Sequence, residues 1–283
     1  MSLFLTAANS YSRMANLTLQ GTAYSGPIVV SSAQESLTRI EYRRWHIKND
    51  SAAGQHAKWG KLTYNEVDCV HTLCLVEGIE KEHAYYPHSP RGSLVFKDCI
   101  IRDIGAQGIQ IAYRDPESDT PLGWQQTGTH SVIGCLLEKC GQPRGYGRAA
   151  FALTFFGRQE GDGSTPRLFW DCPVLVQDTH IVHDSQGQYE LRGALHADNR
   201  PLLEVLGGST VYKGAADRHV WTTGGVKKVV VDGHHFESSR MVDLDKVDEV
   251  EFTNCTTDIA NPVILRVNGT KIGPVNQDFR WSR

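Results

Sequence analysis

Three arginines, a few scattered histidines and one short acidic strand are the residues of this chain whose types and spacing could do chemistry. Arg114, Arg158 and Arg192 carry planar guanidinium forks that suit carboxylate or sulfate groups. Asp115, Glu160, Asp162 and Glu190 stand ready to neutralise them locally. An anionic guest held by these cations invites β-elimination, in which a base removes the proton beside a carboxylate while cations stabilise the developing charge. His83, Tyr85, His196, His219 and Lys61 are the candidate bases. Hydrolysis would instead need two carboxyl groups. Asp243 and Asp245 alternate on one extended segment, about 6.7 Å apart along a strand, close to the roughly 6.5 to 9.5 Å used for inversion. Their segment, 241–248, reads equally well as a strand with a solvated acidic face. Glu190 with His83 or His196 is assigned to proton transfer, and Tyr85 and Trp221, extended by Phe156, offer flat rings for stacking on a sugar. Gln110 completes the proposed binding face.

These residues share a surface only if the chain winds, and the sequence says that it does. Short apolar segments run repeatedly into a two-residue corner followed by a second apolar pair, as in Val95–Ile101, Val132–Leu137, Val176–Val182, Val205–Val211, Val230–Phe236 and 251–257. The corners fall at Gly21, Arg44, Gly78, Asp98, Gly134, Asp178, Gly208, Gly233 and Asn254, where Gly, Asp and Asn accept or stabilise the backbone of a tight bend. Their separation runs from 20 residues (Gly78 to Asp98) to 44 (Gly134 to Asp178). A steady minimum with variable excess is the mark of short stacked strands joined by extensible loops. The third strand of each coil is predicted at 27–31, 59–65, 83–88, 108–114, 151–156, 189–194, 219–223, 241–247 and 262–267. Alternation on these strands places Lys61, Thr63, Gln110, Thr154, Trp221 and Asp243 outward, with a one-residue slip reversing any of them. Only Asp232-Gly233 and Asn268-Gly269 are hairpin-type pairs, which disfavours an antiparallel sandwich.

This coil pattern, over nearly the whole chain, resembles the right-handed parallel β-helix superfamily typified by pectate and pectin lyases, and the Asn254-Cys255 corner is similar to that superfamily's short polar turns. The fold class expected is therefore all-β, a single-stranded right-handed parallel β-helix of about nine coils, one domain over residues 1–283 with an N-terminal cap in 1–16 and a C-terminal tail in 275–283. The resemblance implies that the excursions 115–130, 157–173 and 195–203 wall a groove that binds an extended sugar chain. It implies a carbohydrate-binding or carbohydrate-cleaving protein of lyase or glycoside hydrolase type, acting on an acidic polysaccharide. The hydrolases' Asn-Thr-Asp, Asp-Asp and Gly-His-Gly motifs are missing, Gly233-His234-His235 being a corner, as is the lyases' arginine pattern. The alternative is a non-catalytic structural or adhesive module such as a virion spike or surface fibre component, for which resemblance implies a homotrimer.

Composition narrows the partners. Net charge is -3, with 29 Lys+Arg dispersed among 32 Asp+Glu, so no basic face is offered to nucleic acid. No apolar run approaches the roughly 18 residues of a membrane span. The opening residues lack a basic leader, which leaves localisation open between an extracellular and a virion-associated protein. No cofactor is expected. The candidate site for calcium is the alternating run Asp115, Glu117, Asp119. Seven cysteines, an odd number, argue against a disulfide framework. Cys99, Cys135 and Cys255 share one corner position, which predicts small buried thiols stacked between coils, with Cys99 and Cys135 close enough to oxidise.

Overall fold

The structure, a computed structural model, describes residues 2–21, 27–31, 36–49, 57–88, 90–112, 128–141, 151–155, 172–183, 193–212, 221–238, 240–258 and 260–283. It is a parallel β-helix of three sheets with eleven, eleven and nine strands. The fourth coil shows the plan: Tyr85–His88 lies in the first sheet (A), Arg91–Lys97 in the second (B) and Ile100–Ile104 in the third (C), and the chain then returns to sheet A. Nine coils are complete, since sheet C has nine strands, one for each.

Sheet A is built from Leu3–Leu5, Pro27–Ser31, Trp59–Tyr64, Tyr85–His88, Ile109–Ile111, Phe151–Phe155, Gly193–Asp198, Trp221–Gly224, Val242–Asp245 and Ile264–Val267, all parallel. Eight of the nine third strands expected from the sequence fall here. The exception is the segment 189–194, because the strand runs Gly193–Asp198 and turns 195–203 from a groove wall into a strand and its corner. The segments 115–127 and 157–171 lie outside the described residues.

Alternation puts one face of each strand inside. Register aligns Lys61, Tyr85, Ile109, Leu153, Leu195, Trp221, Val242 and Leu265 as one inward row of sheet A. Most of this row is apolar, and its burial removes water from the coil axis, worth about 25 cal/mol per Å2.

The bends between sheets B and C carry left-handed backbone at Asn16, Arg44, Leu73, Asp98, Gly134, Asp178, Gly207, Gly233 and Asn254. Six of these match the expected ruler, and Gly207 stands one residue before the expected Gly208, which is left-handed as well. Gly21 instead belongs to the sheet C strand Thr18–Gly21, and Gly78 follows the sheet C strand Leu75–Glu77. The true third corner is Leu73, an apolar residue at φ 56°, which carries no turn signature at all. The residue after seven of these corners is buried: Trp45, Cys74, Cys99, Cys135, Thr179, His234 and Cys255. Cys74, Cys99 and Cys135 fill that place on consecutive coils, and Cys255 fills it on the ninth. Their thiols donate to carbonyls of the preceding coil, Cys74 to Tyr42 at 3.4 Å and Cys135 to Phe96 at 3.5 Å. All seven cysteines are free and buried.

The ends differ from expectation. Leu3–Leu5 and Arg13–Ala15 already pair with the second coil, with a 3-10 turn at Ala7–Asn9 between them, so residues 2–16 form most of a first coil where a cap was expected. At the C-terminal end Thr270–Pro274 runs antiparallel to Ile264–Val267, and Phe279–Ser282 antiparallel to Glu249–Thr253, so these two strands become the last of sheets A and B.

Candidate functional site

The outer face of sheet A is where the alternation brings polar side chains together. Register aligns Gln110, Thr154, His196, Thr222, Asp243 and Arg266 in a single outward row, one residue per coil. Neighbours in such a row are about 4.8 Å apart, close enough for direct bonds. His196 Nδ1 lies 2.8 Å from Thr222 Oγ1, and its ring stacks on Phe151 at 5.0 Å between centroids. Arg266 holds Asp243 with both prongs of its fork, Nε donating to Oδ1 at 2.7 Å and Nη2 to Oδ2. A second row two residues further along contains Asp198, Gly224 and Asp245.

That second row supplies the most unusual group on the face. Asp198 extends its carboxyl across the bare backbone of Gly224, where an added Cβ would stand 2.6 Å from Asp198 Oδ1. Burial pushes the Asp198 carboxyl up to about 6, against the opposing pull of Lys246, the Asn199 amide and Arg200. Asp245, two strands away, is exposed. Two strand steps put the backbones of Asp198 and Asp245 about 9.6 Å apart, and Asp198 lies over the Gly224 strand that runs between them. A carboxylic acid that keeps its proton to higher pH, facing an open carboxylate, is the pairing that separates a proton donor from a proton acceptor.

Of the residues singled out from sequence, Gln110, His196, Asp243 and Asp245 lie on this outward face, although Gln110 is only 7% exposed. Tyr85 and Trp221 do not. Both occupy the inward row, where Trp221 is fully buried and donates its Nε1–H to Thr210 Oγ1 at 3.2 Å. No sugar can reach either ring, and the outward residue beside Trp221 is Thr222. A slip of one residue accounts for this, since Trp-Thr-Thr gives alternation no firm phase. Lys61 and Thr63 are likewise inside. Thr154 keeps its outward register yet is fully buried.

His83 precedes the Tyr85–His88 strand and is 6% exposed. The Gln107 amide donates to its Nδ1 at 3.3 Å, and its Nε2 lies 3.3 Å from Glu82. Burial, with a smaller contribution from His88, holds its pKa down to about 3, too low for an effective base near neutral pH. Arg114, Arg158, Glu190, Arg192 and His219 lie outside the described residues, as do Phe156 and the acidic run Asp115, Glu117, Asp119. Among the described residues no cluster of His, Cys, Asp and Glu has the arrangement of a metal site, and no helix is long and apolar enough to cross a membrane.

Sequence reasoning missed Asp198, Thr222 and Arg266. Arg266 was within reach, because Val263, Leu265 and Val267 alternate with it as inward residues. Asp198 was hidden by the misplaced seventh strand. No family model, curated protein or solved structure matches the chain, so the site rests on its own geometry.

Proposed function

We propose that the chain binds an extended glycan along the outer face of sheet A and hydrolyses it with inversion, Asp198 serving as the proton donor and Asp245 as the base that activates water. The observation that carries this reading is the Asp198 carboxyl laid over Gly224, with its proton retained to about pH 6 by burial and an exposed carboxylate two coils away. The His196–Thr222 pair and the Asp243–Arg266 pair offer donors and acceptors to sugar hydroxyls on either side. Burial of His83 and Tyr85 removes two of the bases on which elimination would have depended, which favours hydrolysis over the lyase route.

The test is a panel of acidic and neutral polysaccharides read for new reducing ends and for unsaturated ends. Reducing ends without unsaturation are expected, with the rate falling as pH rises through about 6 and Asp198 loses its proton. Asp198→Asn and Asp245→Asn should each lower turnover by about 10^2 to 10^4. No cleavage of any member of the panel would remove the hydrolase reading for those substrates, and unsaturated ends would replace it with elimination.

A second reading, a stiff non-catalytic fibre or spike module, is favoured by one observation. The first coil pairs on one side only among the described residues and leaves Phe4 and Tyr11 exposed, at 56% and 73%. A stable trimer in sedimentation, without cleavage, would support it.

A further inference from the structure

The interior of coils two to four contains an ionic cluster that the outer face does not use. Lys61 lies on the inward row of sheet A, and its Nζ donates to Glu66 Oε1 across the corner into sheet B. Both side chains are 1% exposed. The same Nζ stands 3.3 Å from His71 Nε2 and 3.7 Å from the centre of the Tyr42 ring. His71 is sandwiched between Tyr42 and Phe96, each at 4.6 Å between centroids, and Tyr85 closes the side at 5.0 Å. A nucleophilic amine, a carboxyl group and an imidazole thus meet in a buried chamber lined by aromatic rings.

As an ion pair this cluster is poorly provided for. Taking two charges out of water costs several kcal/mol per ion unless every remaining lone pair and proton is satisfied. Here Glu66 Oε2, His71 Nδ1 and the Tyr42 hydroxyl have no hydrogen-bond partner among the described residues. A neutral amide in the same place would carry no charge to desolvate and would leave one carbonyl oxygen for the Tyr42 hydroxyl.

We propose that Lys61 and Glu66 become joined by a spontaneous intramolecular amide, an isopeptide bond between Nζ and Cδ. The ammonium first passes one proton to the carboxylate along the existing Nζ–H···Oε1 bond, giving an amine and a carboxylic acid. Nζ then attacks Cδ, forming the C–N bond, while the C=O pair moves onto Oε2. His71 Nε2 takes the second proton from Nζ and hands it to Oε1. The Cδ–Oε1 bond breaks and one water leaves, with the imidazole returned to its neutral form. Ammonium plus carboxylate becomes amide plus water, and no other reactant is consumed.

Burial favours each part of this sequence. It holds the Lys61 amine below its ordinary pKa, although Glu66 pulls the other way, so the free amine is within reach. It holds His71 down to about 4, helped by Lys61, so the imidazole is neutral and able to accept a proton. Burial alone would raise Glu66, but Lys61 and His71 hold it ionised until the first transfer removes the ammonium charge. Fixing the two groups in contact supplies an effective concentration of about 10^5 to 10^8 M, enough to outweigh the reverse attack by water.

The experiment is intact mass measurement of the full chain, reduced and denatured, followed by peptide mapping. The expected chain is lighter than its sequence by one water, and the missing water maps to a peptide holding Lys61 and Glu66 in which trypsin no longer cuts after Lys61. Lys61→Arg should restore the full sequence mass. His71→Phe, which keeps the ring stack, should lower the cross-linked fraction. A wild-type chain at full sequence mass, or a water lost outside residues 61–66, would overturn the proposal. An unchanged fraction in His71→Phe would overturn the role given to the imidazole. Mass is read on unfolded chains, so a poorly folding variant does not obscure the wild-type result.

Discussion

Two polar clusters sit inside the same apolar coil axis and are built on opposite principles. In coils seven and eight, Trp221 donates to Thr210 at 3.2 Å, Thr210 donates to His234 Nε2 at 2.9 Å, and His234 Nδ1 donates to the Gly207 carbonyl at 2.7 Å. Every group in that chain is neutral and satisfied. In coils two to four, the amine of Lys61 and the carboxyl of Glu66 meet out of water, and three polar atoms of the cluster lack partners among the described residues. Lys61 and Trp221 occupy the same inward row, so the backbone treats the two places alike. The difference teaches that the interior of a coil tolerates polarity cheaply when it closes on itself. Open valences are a sign of something more than packing.

The comparison can be broken most forcefully at Lys61. Lys61→Met leaves a carboxylate buried alone and should destabilise the protein by about 3 to 5 kcal/mol in urea unfolding. The double variant Lys61→Met, Glu66→Leu should recover most of that loss. Equal stabilities for the single and double variants would mean that the two clusters are energetically alike.

Acid sharpens the comparison next. His71 and His234 are each held down to about 4, mainly by burial. Their folded pKa values lie below the unfolded value near 6.5. Their contribution is therefore intact above about pH 6.5 and is lost as pH falls toward 4, by up to about 3 kcal/mol for each. Melting temperature followed from pH 7 to 4.5 should fall steeply, and His71→Phe should flatten part of that slope. The mildest probe is Thr210→Val, which strands the Trp221 and His234 nitrogens and should cost about 1 to 3 kcal/mol in the same urea assay.

How far these clusters could be read beforehand follows from what each kind of pattern encodes. Strand phase is written in period-two alternation, and Gln110 and Asp243 do share one register row, although both are buried rather than exposed. Corners are written in Gly, Asp and Asn, so the bends from Asp98 onward were legible. Polarity, however, was used as a proxy for exposure, and it failed for Lys61, whose charge is answered inside by Glu66 rather than by water. It failed in the other sense for Trp221, whose indole reads as a ring for sugars yet finds its partner in Thr210. Asp198 was lost because the alternation in 189–194 drew the expected strand too early, whereas a strand runs over Gly193–Asp198. Pairs that bond across tens of residues, such as Asp243 with Arg266, are absent from any local window.

The bend at Leu73 has a consequence for how the molecule winds. Leucine gives the backbone no reason to enter a left-handed conformation, which costs an ordinary residue roughly 1 to 2 kcal/mol. What holds it there is the next coil, where the Lys97 carbonyl receives the Leu73 amide at 3.0 Å. The residues on either side of Leu73 are already tied to the preceding coil, the Leu75 amide donating to the Trp45 carbonyl at 2.8 Å, so the left-handed turn is clamped from both neighbours only once the fourth coil is in place.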